Sequence, residues 1–226
     1  MRLKIMLDAG HGYETPGKRT PDGMREYEFN RDVAAFCRNE LAKYDVEVYY
    51  SHSDSKDIPL QLRTDRANNL KVDVFVSIHA NAFGSGGWND ASGIETYAYI
   101  TQPSKSTALA REIQSHLVAS TQRRDRGVKF ANFHVLRETD MPSVLIECGF
   151  MTNREEAALL RTRTYRQICG KAIAKALVAF YQLKSKEHTS LYKVQLGAFS
   201  NEENALQLAN HLKKAGFAPY IYIESK

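Results

Sequence analysis

The sequence predicts an α/β fold: a mostly parallel twisted sheet with helices on both faces, followed by a small C-terminal βαβ segment. Three observations carry this. Short apolar runs rich in β-branched residues alternate with stretches of helical period. The order is strand, helix, strand twice over before residue 80, which calls for parallel strands joined by crossover helices. The periodicity stops near Leu183 and resumes at Leu191. The chain therefore divides into a main domain, 1–183, a polar linker, 184–190, and a terminal segment, 191–226.

Residues 3–8 read as a buried strand, and a polar loop containing glycines follows. Asn30, Val33, Ala34, Cys37 and Leu41 then fall on one helical face, which gives the first crossover helix. Residues 46–50 form a strand and 60–70 a helix. Residues 72–79 form a strand in which Val72, Val74, Val76 and Ile78 alternate. A strand at 93–100, a helix at 104–121, a short strand at 133–136, a buried strand at 143–148 and a helix over about 165–183 complete the domain. The basic cluster Arg123, Arg124 and Arg126 continues a helical pattern and reads as a solvated helix end.

Composition narrows the function classes. With 43% hydrophobic and 25% charged residues the chain is an ordinary folded protein. It has no apolar run of about eighteen residues to span a membrane. Its N-terminus enters the first strand without a basic and then apolar leader, so synthesis in the cytoplasm without a signal peptide is expected. Cys37, Cys148 and Cys169 are odd in number, lack C-x-x-C spacing and sit among apolar residues, as small core residues do. The net charge of +5 suits an anionic partner. No stacking aromatics flank the basic cluster, which argues against nucleic acid.

Three buried strands deliver residues able to do chemistry: "LKIMLDAGH" brings His11, "VFVSIHAN" brings His79 and "SVLIECGF" brings Glu147. The C-terminal ends of parallel strands share one edge, so the three converge in one crevice. Two imidazoles and a carboxylate suit a zinc ion that keeps a position for water. The ligand carboxylate is Glu147, or Glu26 or Glu28 from "MREYEFN" at the start of the first helix, and ligand and base must be different residues. Burying Glu147 inside "VLIECGF" is costly unless it is paired or used. Asp8 reads as a turn residue that orients His11. His52, His116, His134, His188 and His211 read as structural. No G-x-G-x-x-G or G-x-x-x-x-G-K-[ST] pattern supports a nucleotide site.

The segments "LDAGHG", "GMREYEFN", "VFVSIHAN", "SGIETY" and "RGVKFANFHVLRETDMPSVLIECGFMTN" resemble, in order and spacing over residues 1–182, the zinc-dependent N-acetylmuramoyl-L-alanine amidases of the amidase 3 family. The resemblance implies that His11, Glu26 and His79 hold zinc, that Glu147 is the catalytic carboxylate and that Glu28 is acidic but not a ligand. The implied reaction is hydrolysis of the amide joining N-acetylmuramic acid to L-alanine in peptidoglycan, with zinc acidifying a water and polarising the carbonyl. His134 and Cys148 depart from the family pattern, and the loop 84–92 is too short for the inhibitory helix of some members. Two other readings compete: another zinc amidohydrolase, such as a cell-wall carboxypeptidase, and a non-catalytic wall-binding module. The implied setting is a phage endolysin or a bacterial autolysin that reaches the wall after lysis or through a membrane pore.

In the terminal segment, residues 192–199 alternate as a strand, Ser200 and Glu203 make a capping box, Ala205, Leu208, Ala209 and Leu212 line one helical face, Gly216 stops the helix and 219–224 alternate again. This resembles the first half of a SPOR domain, which binds glycan strands. Segments below about 40 residues rarely bury a core alone, so the tail is expected to pair with the tail of a second chain, as a homodimer, to dock on the main domain or to remain mobile.

Overall fold

The computed structural model describes residues 2–186 and 194–223. The chain divides into two units, Met1–Lys186 and Glu187–Lys226. In the first, the order is β1 (Leu3–Ala9), α1 (Glu26–Leu41), β2 (Val46–Tyr50), α2 (Leu60–Leu70), β3 (Val74–Asn81), β4 (Ile94–Tyr99), α3 (Ser104–Thr121), β5 (Asp125–Ala131), α4 (His134–Arg137), β6 (Ser143–Phe150), α5 (Arg154–Arg161) and α6 (Arg163–Tyr181). The six strands form one sheet in the order β2-β1-β3-β6-β4-β5. Every neighbouring pair is parallel except β4 and β6, which run antiparallel.

The two-residue strand period sorts side chains onto two faces. On one, Ile5, Leu7, Val76, Ile78, Val144 and Ile146 pack with Val33, Leu41, Leu109, Ile113, Ile173 and Leu177 of α1, α3 and α6. On the other, Met6, Phe75 and Leu145 pack with Ala67 of α2 and Val135 and Leu136 of α4. The same alternation puts Asp8, Ser77, His79, Glu95 and Glu147 on this second face, at the edge beyond the two covering helices. Cys37, Cys148 and Cys169 are free and buried, as core residues.

Several elements differ from the sequence reading. Residues 133–136 are not a strand: His134–Arg137 make one helical turn. The edge strand is β5 instead, because Gln122 takes a left-handed backbone (φ 56°) that ends α3 and frees residues 125–131 to bond along β4. Arg126 therefore lies on a strand and not on a helix end. Val72 is buried in the turn after α2, with its N–H on the Ala67 carbonyl at 3.2 Å, so β3 starts at Val74. Helix α5 was not foreseen; Asn153 caps it by accepting from the Glu156 N–H at 3.1 Å.

Residues 184–186, read as linker, bond to the end of α1: the Asp45 N–H donates to the Lys184 carbonyl at 3.1 Å and the Lys186 N–H to the Lys43 carbonyl at 2.8 Å. Linker residues 187–190 lie outside the described residues. In the second unit the described residues form one helix, α7 (Glu202–Lys214). Its cap is Asn201, not Ser200: the Asn201 side chain accepts from the Glu203 N–H at 2.7 Å. Ala209 is buried, and Ala205, Leu208 and Leu212 are half-buried beside it, the face expected of them. Gly216 (φ 88°) ends the helix. Residues 194–199 and 217–223, expected as strands, take no regular strand form among the described residues; positions 192, 193 and 224 of the expected strands lie outside the described residues. No helix among the described residues is long and apolar enough to cross a membrane.

Candidate active site

His11 follows β1 through Gly10 and holds a left-handed backbone (φ 64°), an uncommon state for a residue with a side chain. Arg63 of α2 pins it. This guanidinium, with its side chain 2% exposed, donates to Asp8 Oδ1 at 2.7 Å, to the Ala9 carbonyl at 2.6 Å and to the His11 carbonyl at 2.5 Å. The Ala9 N–H donates to His52 Nδ1 at 3.0 Å, and burial lowers the His52 pKa. A Cβ at position 10 would lie 2.0 Å from His79 Cε1, far inside van der Waals contact, so glycine lets the two imidazoles meet, edge to face with centroids 4.9 Å apart.

Glu26, the first residue of α1, swings over the same sheet edge; its N–H donates to the Lys18 carbonyl at 2.9 Å and its side chain is 4% exposed. Oε1 lies 2.9 Å from His79 Nδ1 and accepts from the Ala80 N–H at 3.2 Å and the Asn30 amide at 3.1 Å. Oε2 lies 3.2 Å from His11 Nε2. Burial pushes the Glu26 carboxyl up, and the two imidazoles together outweigh it, so its pKa is lowered. Glu28 turns away, its side chain accepting from the Arg25 N–H at 3.4 Å.

The other nitrogen of His79, Nε2, faces Ser77 Oγ at 3.1 Å, and that hydroxyl donates to Asp8 Oδ2 at 2.6 Å. Asp8 also accepts from Ser51 Oγ at 2.5 Å. Asp8 thus reaches His11 only through Arg63, and reaches His79 through Ser77. Burial raises the Asp8 pKa, but Arg63 and the three side-chain hydrogen bonds outweigh that and hold it low.

Glu147 on β6 is in register with His79 on β3 and directly opposite Glu95 on β4. Its Oε2 is sealed from solvent and has no hydrogen-bond partner among the described residues. Burial pushes its carboxyl up to about 8, with His79 pulling down and the carboxylates of Glu26 and Glu95 pushing further up. One nitrogen from each of His11 and His79 and one Glu26 oxygen all lie within 4.8 Å of one another, in a cleft of about 410 Å³ that Glu147, Asn81 and Lys18 also line. A larger hollow of about 590 Å³ between α3 and β5 holds none of these side chains. The described histidines read as structural stay outside the cluster: His52 holds the β1 backbone, and His116 pairs with Glu112 at 3.1 Å.

Residues 5–179 match the N-acetylmuramoyl-L-alanine amidase family. The chain belongs to this family. Residues 173–226 match the SPOR domain, a match that begins inside α6, well before the terminal segment read from the sequence. A sporulation-specific N-acetylmuramoyl-L-alanine amidase of Bacillus subtilis is 35% identical over 224 residues, covering 98% of this chain and 85% of its own. The N-acetylmuramoyl-L-alanine amidase CwlM of Bacillus licheniformis is 35% identical over 226 residues, covering 99% and 86%. The crystal structure of an N-acetylmuramoyl-L-alanine amidase from Clostridium difficile 630 superposes with a TM-score of 0.76 at 34% identity, covering 80% of this chain and 97% of that one. As an N-acetylmuramoyl-L-alanine amidase, the chain is a peptidoglycan hydrolase.

Residues supporting this amidase site that the sequence reading missed are Gly10, Arg63, Ser77 and Glu95. Ser77 and Glu95 left a trace, as polar residues within the apolar strands "VFVSIHAN" and "GIETYAYI". Arg63 left none.

Proposed function

We propose that His11, Glu26 and His79 hold a zinc ion and that Glu147 moves the proton during cleavage of the amide between N-acetylmuramic acid and L-alanine. The supporting observation is the convergence of three ligand atoms within 4.8 Å beside Glu147, whose strand position is in register with His79. The donor set of two nitrogens and one oxygen is that of catalytic zinc sites, and Glu26 enters as a carboxylate. Zinc, when bound, supplies Lewis acidity to the scissile carbonyl and to a water.

The protein's part is positional and acid–base. Asp8, through Ser77, fixes the Nε2 side of His79 and so turns Nδ1 toward Glu26. Glu147 accepts a proton from the attacking water and passes it to the leaving nitrogen, so that the amide C–N bond breaks to a carboxylate and an amine. A carboxyl raised by burial suits this exchange near neutral pH, and a cation beside it lowers the value again.

Prolonged chelation is expected to abolish hydrolysis and added zinc to restore it. Mass spectrometry of digested sacculi should show new free L-alanine amino termini. New termini elsewhere in the stem would favour a carboxypeptidase, and undiminished cleavage by metal-free protein would sink the mechanism.

The domain reading, a catalytic 1–183, a linker 184–190 and a wall-targeting 191–226, is part of the same proposal. So is action on the wall after lysis or release through a pore. A chain truncated after Lys186 is expected to cleave soluble muropeptides at the full rate and to sediment less with whole cell walls. Equal sedimentation of both forms would remove the targeting role. Analytical ultracentrifugation of the two forms separates a tail that pairs into a homodimer from one that does not.

A further inference from the structure

Beside Glu147, on the side away from His79, the sheet face continues into β4 and β5. Both strands run opposite to β6, so their first residues reach the ligand edge. There the Glu95 carboxylate, 3% exposed, accepts from Arg126 Nε at 2.6 Å, from Lys129 Nζ, from the Tyr97 hydroxyl at 2.6 Å and from the Asn81 amide at 2.7 Å. Two cations, Arg126 and Lys129, stand against the Glu95 carboxylate, with Glu147 opposite it across the ladder. The Lys129 side chain is 36% exposed and its ammonium has three N–H bonds, one of them directed at Glu95. It stands 6.0 Å above the Tyr97 ring, whose centroid is 5.1 Å from that of the exposed Phe133.

We propose that Lys129 and Arg126, braced by Glu95, form a subsite for a free carboxylate on the leaving peptide, one or two residues beyond the scissile amide. The inference rests on the amidase reading of Glu147 and the His11, Glu26 and His79 cluster. Its length scale fits. Neighbouring strands are about 5 Å apart, so β4 and β5 lie about 5 and 10 Å from β6. An extended peptide covers about 3.3–3.6 Å per residue. On a leaving peptide that runs from Glu147 toward β5, a carboxylate one or two residues past the bond falls over these strands, where the ammonium of the part-exposed Lys129 gives a charge-assisted hydrogen bond. Arg126 pairs with Glu95, and Lys129 spends one N–H bond there, so the remaining N–H bonds of Lys129 are available to a ligand.

The test uses two muramyl-peptides that differ only in whether the second stem residue carries a free carboxylate or its amide. The full chain is expected to show a KM about tenfold lower for the carboxylate form. Lys129→Met keeps the stem over Tyr97 and leaves Glu95 paired with Arg126, so the fold is retained, as thermal melting will check. It should raise KM about tenfold for the carboxylate substrate, leave the amide substrate unchanged and keep kcat within about twofold. Lys129→Arg should restore the preference. Equal changes on both substrates, or no preference in the unaltered enzyme, would overturn the subsite while leaving the amidase reading intact. Cleavage of neither substrate by the unaltered enzyme would overturn both.

Discussion

Glu147→Gln is expected to cut turnover on muropeptides by about a hundred- to ten-thousand-fold, the range a general base contributes, while the metal content of the protein stays at the level of the unaltered chain. The amide has nearly the shape of the carboxyl and cannot accept the proton. Glu147 lies outside the group of ligand atoms that converge within 4.8 Å, so its loss removes none of them. His79→Ala removes one, together with the ring that fills the space over Gly10, and is expected to lose metal as well as rate. Metal analysis of the two purified variants separates the roles. If both lose metal equally, Glu147 is a ligand and the assignment made here is wrong.

Arg63→Met is expected to destabilise the first unit by about 3–5 kcal/mol, the cost of leaving a buried carboxylate without its partner. Both members of the Arg63–Asp8 pair are 2% exposed in their side chains. The carbonyls of Ala9 and His11 lose their donor at the same time. The sign of the pH dependence distinguishes this from a packing loss. In the intact chain Asp8 is held below its ordinary value of 3.8, so its contribution is present above that pH and is lost as the pH falls through the depressed value. Without Arg63, the largest interaction that opposes the desolvation of Asp8, its carboxyl is expected to rise. The variant then gains relative stability as the pH falls and Asp8 takes up its proton. Urea unfolding at pH 7 and near pH 4.5 should show the gap between the two proteins narrowing toward acid; a gap independent of pH would mean that the ion pair is not what was lost.

The site was legible in the sequence where chemistry and strand position coincide. His11, His79 and Glu147 each stand out against an apolar run, and the parallel pattern puts them on one edge. Between Glu26 and Glu28 the residues themselves left the choice open, because two acids at a helix start look alike. In the structure the first turns into the sheet edge and the second folds back on the Arg25 N–H. Arg63 was invisible because its partners at the site, Asp8, Ala9 and His11, are 52 to 55 residues away, and nothing in the local pattern of α2 marks it. The helices 60–70 and 104–121 were placed to the residue, since long amphipathic spacing reports burial on one face. The edge strand β5 failed for the opposite reason. It is half-buried, begins in a run of arginines, and depends on a left-handed Gln122 that propensity does not announce.

The reversal of β4 against β6 has a consequence for how such an enzyme diversifies. In a purely parallel sheet each connection must cross from one edge to the other. Here the segment after β3 leaves from the ligand edge and enters β4 at the same edge, arching past β6 without crossing the sheet. Residues lengthened or exchanged within 82–92 therefore add bulk only at the mouth of the cleft, at the small entropic cost of a longer surface loop. A chain of this design can be given a narrower, wider or gated entrance by recombination at one arch, with every strand of the sheet left as it was.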